Sequence, residues 1–226
     1  MRRGLAVAAA AVTVTVGMLA LTTSGATGLA ARAGTPILAG PFPPGEEEHG
    51  RADAAARTAP SGLPYSTASP YVVQRQPPPG SCHAIGAGLY ARPQARCTPG
   101  GVNPQVTQAT IGATICRSGW TSTVRPPVSV TEPEKYASME AYGVTGRASA
   151  YEYDHLVPLE LGGAVNDPRN LWPELNYTHA AGYDELNPKD ALEYALKRRV
   201  CAGVMTLAQA QRLIASNWVT TYHRYG

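Results

Sequence analysis

The sequence predicts an α+β protein, a small and mostly helical domain assembled around one strand, loop, strand and helix unit. Three observations predict it. Tyr151, Tyr153, Leu156, Pro158 and Leu159 fall in a run whose alternation suits a half-buried strand better than a helix. Gly162-Gly163 and the polar turn that follows break this run, and Asn170-Leu171-Trp172-Pro173 begins a second extended one. Pro188 to Cys201 then has helical spacing, with Asn187 as N-cap, Pro188 at the first helical position, and Leu192, Ala195, Leu196 and Val200 on one face.

The chain opens with Met1-Arg2-Arg3, continues as an uncharged Ala- and Val-rich run from Gly4 to Leu21, and reaches small residues by Ala33. That composition predicts a secretory signal over residues 1–33, cut after Ala26 or Ala33, or else retained as an N-terminal anchor. Residues 34–80 are rich in Pro, Gly, Ala and Ser and carry the acidic cluster Glu46-Glu47-Glu48. With few large apolar residues to bury, they read as a disordered linker or a cleaved pro-segment.

Residues 81–226, about 145 in number, are enough for one core. Asn103 to Cys116 reads as a first helix, with its many Thr and Ile residues leaving a strand open. Trp120 to Val124 reads as a short strand stopped by Pro126-Pro127. Thr131 and Glu134 form a capping box for a helix through Tyr142, ended by Gly143. Thr206 and Gln209 open the last helix, whose apolar stripe is Leu207, Ala210, Ile214 and Trp218. Four cysteines behind a secretory signal predict two disulfides. Spacing leaves three connectivities open, and the pairing expected here is Cys82 with Cys97 and Cys116 with Cys201. No Cys-x-x-Cys pair is present to hold a structural zinc.

The formal charge is +3 from 19 basic and 16 acidic residues. Loss of Arg2, Arg3 and Arg32 with a signal leaves a neutral chain, which excludes a broad basic face as the means of holding nucleic acid. Any such affinity must come from a local patch, for which Arg169, Lys189, Lys197 and Arg198 are the candidates, with Arg199 beside them.

The dense cluster of reactive residue types lies between Tyr151 and Glu174. Asp154-His155 is an acid followed directly by an imidazole. On a strand the two leave on opposite faces, so one can meet an ion and the other a substrate where a twist brings both to one rim. Alone, such a dipeptide is usually a surface pair. Here Asp154, His155, Leu156, Pro158, Leu159, Gly162, Gly163, Asn170 and Leu171 occur together, and this pattern resembles the HNH endonuclease family, the ββα-metal nucleases. The resemblance covers about forty to fifty residues, from Tyr151 to Cys201.

The resemblance implies that His155 is the general base, that Asp154 ligates a metal, and that Asn170 fixes the histidine ring or the loop around it. The third motif position is filled by Asn187, at the predicted helix start, or by His179. Phosphodiester hydrolysis needs an activated water and a neutralised phosphoryl group, jobs for a neutral imidazole and one divalent cation. Oxygen ligands from Asp154 and Asn187 suit magnesium, whereas His179 would bring manganese, zinc or nickel into range. Lys189 is a candidate for phosphate contact, Asp190 for fixing the loop, and Glu152 and Glu174 read as solvated carboxylates.

The expected function is thus a secreted, metal-dependent, sequence-nonspecific endonuclease acting on extracellular DNA or RNA as a monomer. It would need no nucleotide cofactor and, with its signal removed, no stable membrane association. The alternatives are an inactive cell-envelope binding module and a phosphodiesterase for another substrate.

Overall fold

The computed structural model describes residues 58–176 and 187–226. The expected signal, the linker as far as residue 57, and His179 lie outside the described residues. Within them the protein is mixed α and β. A small hairpin pairs β1 (Ala84–Ile85) with β2 (Arg92–Pro93), followed by α1 (Trp120–Val124) and α2 (Val128–Ala141). The second hairpin pairs β3 (Tyr151–His155) antiparallel with β4 (Leu171–Leu175), and α3 (Pro188–Cys201) and α4 (Leu207–Tyr225) complete the chain. No described helix is long and apolar enough to cross a membrane.

The central hairpin is packed on both sides. α2 lies against β3 and β4, with Trp172 buried beside Tyr142 and Cys82. α3 packs on α4, and Leu192, Leu196 and Val200 of α3 meet Ala210, Ile214 and Trp218 of α4 in the main core, as their helical spacing predicts. Asn187 caps α3 by accepting the Asp190 N–H at 2.8 Å, and Thr206 caps α4 by accepting that of Gln209 at 3.2 Å. The disulfides join Cys82 to Cys97 and Cys116 to Cys201. The second bridge ties the loop before α1 to the end of α3, closing a stretch of 85 residues.

Three local expectations are corrected. Residues 103–116 form turns and a single 3-10 turn, Ile111–Ala113, in place of a helix. Asn103 Oδ1 accepts the Gln105 N–H and Thr110 Oγ1 donates to the Gln105 carbonyl, so side chains take the backbone partners a helix would need. Trp120–Val124 is a short helix, entered from Gly119 at φ 75° and ended by Arg125, which Pro126 holds extended. α2 starts at Val128, so Thr131 lies inside it and caps nothing. Glu134 is fully buried and accepts the Gln74 N–H at 2.6 Å.

That last contact corrects the linker boundary as well. Residues 58–80 form a strap tied down along its length. Ala59 joins the main core, and Ser66 and Pro64 bond the backbone of Val102. Asn166 Nδ2 donates to the carbonyls of Ser69 and Val72, and Gln76 Nε2 donates to the Tyr153 hydroxyl at 2.8 Å. Short apolar and polar anchors, each satisfied by the folded part, hold a segment whose composition alone reads as unfolded.

Candidate active site

The hairpin sets the geometry. Asp154 pairs across the ladder with Trp172 and His155 with Leu171, and the Leu156 N–H continues it to the Asn170 carbonyl at 2.7 Å. Adjacent residues on β3 leave on opposite faces, and the structure places Asp154 and His155 on two different clefts.

His155 lines a cleft of about 510 Å³ with Arg125, Lys135, Tyr136, Ser149 and Tyr151 among its walls. Asp154 lines another of about 480 Å³ with Glu152, Glu160, Asp190, Glu193 and Lys197. Arg125, Glu152 and Tyr153 border both and form the ridge between them. The His155 side is aromatic and sets Arg125 and Lys135 against Glu132 and Glu152, whereas the other side sets five carboxyl groups against Arg125 and Lys197.

The loop between the strands is fixed by Asn170, which is fully buried with its side chain fully bonded. Its Oδ1 accepts the N–H groups of Gly101 and Val157, and its Nδ2 donates to the carbonyls of Val157 and Ala164. Asn170 is therefore a positioning residue for the loop and meets no substrate. The double glycine is required by the same loop. Gly162 has φ 69°, and a Cβ on Gly163 would lie 1.7 Å from the Val157 carbonyl oxygen.

His155 is only 7% exposed, and its Nε2 lies 3.0 Å from the Val165 carbonyl. A carbonyl only accepts, so Nε2 carries the proton and Nδ1 keeps its lone pair. Burial lowers the pKa of His155, and Arg125 and Lys189 add to that effect. The ring is neutral at pH 7, the state a general base needs.

Lys189 corrects an expectation and explains much of the site. It is fully buried and cannot reach a phosphate. Its ammonium donates to the carboxylates of Asp154 and Glu193 and, at 2.8 Å, to the carbonyl of His155, with Glu174 Oε2 3.7 Å away. Burial opposes the ionised form of Asp154, but Lys189 outweighs it and holds that carboxyl below its ordinary range. The charge of Asp154 is the leading cause that holds the Lys189 ammonium protonated in spite of its burial. Burial pushes Glu174 well above the usual carboxylate range and Glu193 up to about 8. Glu174 is buried, not solvated as its sequence context suggests. Asp190 is raised to about 6, chiefly by burial.

The metal expectation meets only part of a ligand set. Asp154 is partnered by Lys189, and Asn187 Oδ1 is occupied in capping α3. Among the described residues no group of three or more His, Cys, Asp and Glu side chains is placed to hold an ion. Asp154, on the acidic cleft, is held ionised by Lys189.

The proposed phosphate patch does not assemble. Arg169 is turned onto Asp167 by two contacts, Nη2 to Oδ2 at 2.6 Å and Nε to Oδ1 at 3.0 Å. Arg198 is exposed beside the Tyr194 ring, Arg199 lies over Tyr225, and neither lines the His155 or the Asp154 cleft. Lys197 alone borders the acidic cleft. Sequence reasoning missed Arg125, Lys135 and Tyr136, because only the packing of α2 and the turn before it on the hairpin brings them to His155, while Tyr151 shares β3 with it. The Lys189-Glu193 pair was readable, since residues four apart on a helix are neighbours.

Comparison with family models, curated proteins and solved structures finds no match for this chain.

Proposed function

We propose that this chain is a secreted phosphodiester hydrolase of the HNH type, with nucleic acid as its substrate. The observation that supports the reading best is the placement of a neutral His155, its ring fixed through Nε2, at a cleft whose rim carries the guanidinium of Arg125. Nδ1 of His155 takes a proton from water as the water oxygen attacks phosphorus. Arg125 faces the charge that builds on the phosphoryl oxygens as the bond to the leaving oxygen breaks. Lys189 and Asn170 hold Asp154, the His155 backbone and the loop in register while this happens.

The proposal includes a divalent ion, magnesium first, and its contribution when bound is to neutralise charge on the phosphoryl and leaving oxygens. Asp154, across the ridge from His155, is the residue that would hold it, and the two would share one phosphate at the ridge residue Arg125. The order strand, loop, strand, helix and the motif residues on it support the HNH reading, and two disulfides support export.

The test is hydrolysis of bis(p-nitrophenyl) phosphate and of DNA and RNA oligonucleotides by the wild-type chain and by His155→Ala, with magnesium, manganese and zinc supplied in turn. Metal-supported cleavage that drops by about a hundredfold or more in His155→Ala is expected. Absence of cleavage in every metal sinks the reading in favour of a binding module.

A further inference from the structure

We infer that the His155 cleft receives one nucleotide unit of a single-stranded nucleic acid, its phosphate against Arg125 and Lys135 and its base on Tyr136 and Tyr151, and that duplex is excluded. This deepens the phosphodiesterase reading above and rests on it.

The inference is carried by the difference between the two clefts: at His155 the basic residues Arg125 and Lys135 match Glu132 and Glu152 beside the tyrosines, while the Asp154 cleft has an excess of carboxyl groups. Arg125 is exposed and, among the described residues, has no hydrogen bond or ion pair to occupy it. Tyr136 is 52% exposed on α2, and Tyr151 stands on β3 at the same cleft. A tyrosine ring offers a stacking surface to any base, whereas a free guanidinium is a partner for phosphate. The cleft's 510 Å³ falls within the range of small-ligand sites, enough for one nucleotide unit rather than a wide groove.

His155 is recessed at 7% exposure, so the reacting phosphate must come into the cleft. A duplex is a stiff rod carrying one charge per roughly 1.7 Å of axis. Bringing one of its phosphates to His155 lays its neighbours across the ridge, over Asp154, Glu160 and Asp190. Like charges meet there, and no broad basic face compensates. A single strand can bend, put one base on the tyrosines and leave on the α2 side without crossing the acidic cleft.

The experiment is fluorescence anisotropy with the full chain in chelator, using a labelled oligothymidine of about twelve nucleotides, free or annealed to its complement. The single strand is expected to bind at least about tenfold more tightly than the duplex, and Tyr136→Ala and Arg125→Ala should each weaken it by about tenfold. Arg198→Ala, exposed and outside both clefts, should leave it unchanged. All three substitutions are at exposed positions, and circular dichroism verifies that each variant is folded. Equal or tighter duplex binding overturns the inference, and so does an Arg198→Ala loss as large as that of Arg125→Ala. Bis(p-nitrophenyl) phosphate, which has no base to stack, is scored separately. Its cleavage without any preference for single strands sinks this inference and leaves the phosphodiesterase reading. Cleft-dependent single-strand binding with no cleavage does the reverse.

Discussion

Lys189 donates to the backbone carbonyl of His155 at 2.8 Å, so the second residue of α3 holds the end of β3 in place. The same ammonium binds the side chain of Asp154 and, one turn on, that of Glu193. Strand, helix and the two residues of the Asp-His pair thus share one buried cation. Removing it leaves carboxylates without their partner, and breaking a buried pair from one side costs about 3–5 kcal/mol. Lys189→Met should lower stability by that amount in urea unfolding and abolish any hydrolysis, while a loss below about 1 kcal/mol would show that the cation is dispensable.

The double glycine gives a second prediction. A Cβ on Gly163 would sit 1.7 Å from the Val157 carbonyl oxygen, a backbone atom that cannot swing away. Gly163→Ala should therefore cost at least about 3 kcal/mol and displace the loop that carries Val165 and Asn170. Gly112 has nothing within 4 Å of its added Cβ, so Gly112→Ala should stay within about 0.5 kcal/mol of the parent. Thermal unfolding of the two variants side by side decides it, and equal shifts would refute the clash.

These positions show which parts of the molecule were legible in the sequence. The hairpin, α3 and α4 were readable because period, cap and breaker agree at each. Asn187 is both a good N-cap and followed by proline, and Leu192, Leu196 and Val200 repeat at helical spacing. Residues 103–116 misled because spacing and a candidate cap at Asn103 agree with a helix, yet Asn103 and Thr110 bond the nearby backbone instead. Lys189 was taken for a surface charge because local sequence does not reveal burial. Only α2, seated on the hairpin, makes the cleft around His155, and no spacing along the chain encodes that contact. The strap was missed for the same reason, since Ser69, Val72 and Gln74 are ordered by partners about 60 to 100 residues away.

The strap bears on the site through Asn166. Its side chain holds the carbonyls of Ser69 and Val72, while its neighbour Val165 supplies the carbonyl that fixes His155. Asn166→Ala frees the strap and loosens that carbonyl. Hydrolysis should drop about tenfold, the worth of one hydrogen bond, and trypsin should cut faster after Arg75. Unchanged proteolysis together with unchanged activity would show that the strap and the site are independent.

The divalent ion can be tested without further structure. Chelator should remove hydrolysis and magnesium should restore it, with Asp154→Asn raising the magnesium needed by about tenfold or more. Activity that persists in chelator would remove the ion from the proposal and leave Lys189 as the cation held against Asp154 among the described residues.

Acid and base separate the two roles of buried charge. Burial lowers the His155 pKa, so the acidic limb of kcat/KM should fall below 6.5, the ordinary value for histidine. Stability should move the other way around neutrality. Burial raises the folded-state pKa of Glu193 from 4.5 to about 8, so between those values the folded chain binds more protons than the unfolded one. The contribution of Glu193 is then fully present below pH 4.5 and is lost as pH rises through about 8. Other buried carboxyls, Glu174 and Asp190 among them, push in the same direction. In chelator, the Tm should fall between pH 5 and pH 8, and Glu193→Gln, which carries no titrating proton, should flatten that slope. A Tm that rises over this interval in the parent, or a slope that Glu193→Gln leaves unaltered, would mean that Glu193 is ionised beside Lys189 throughout.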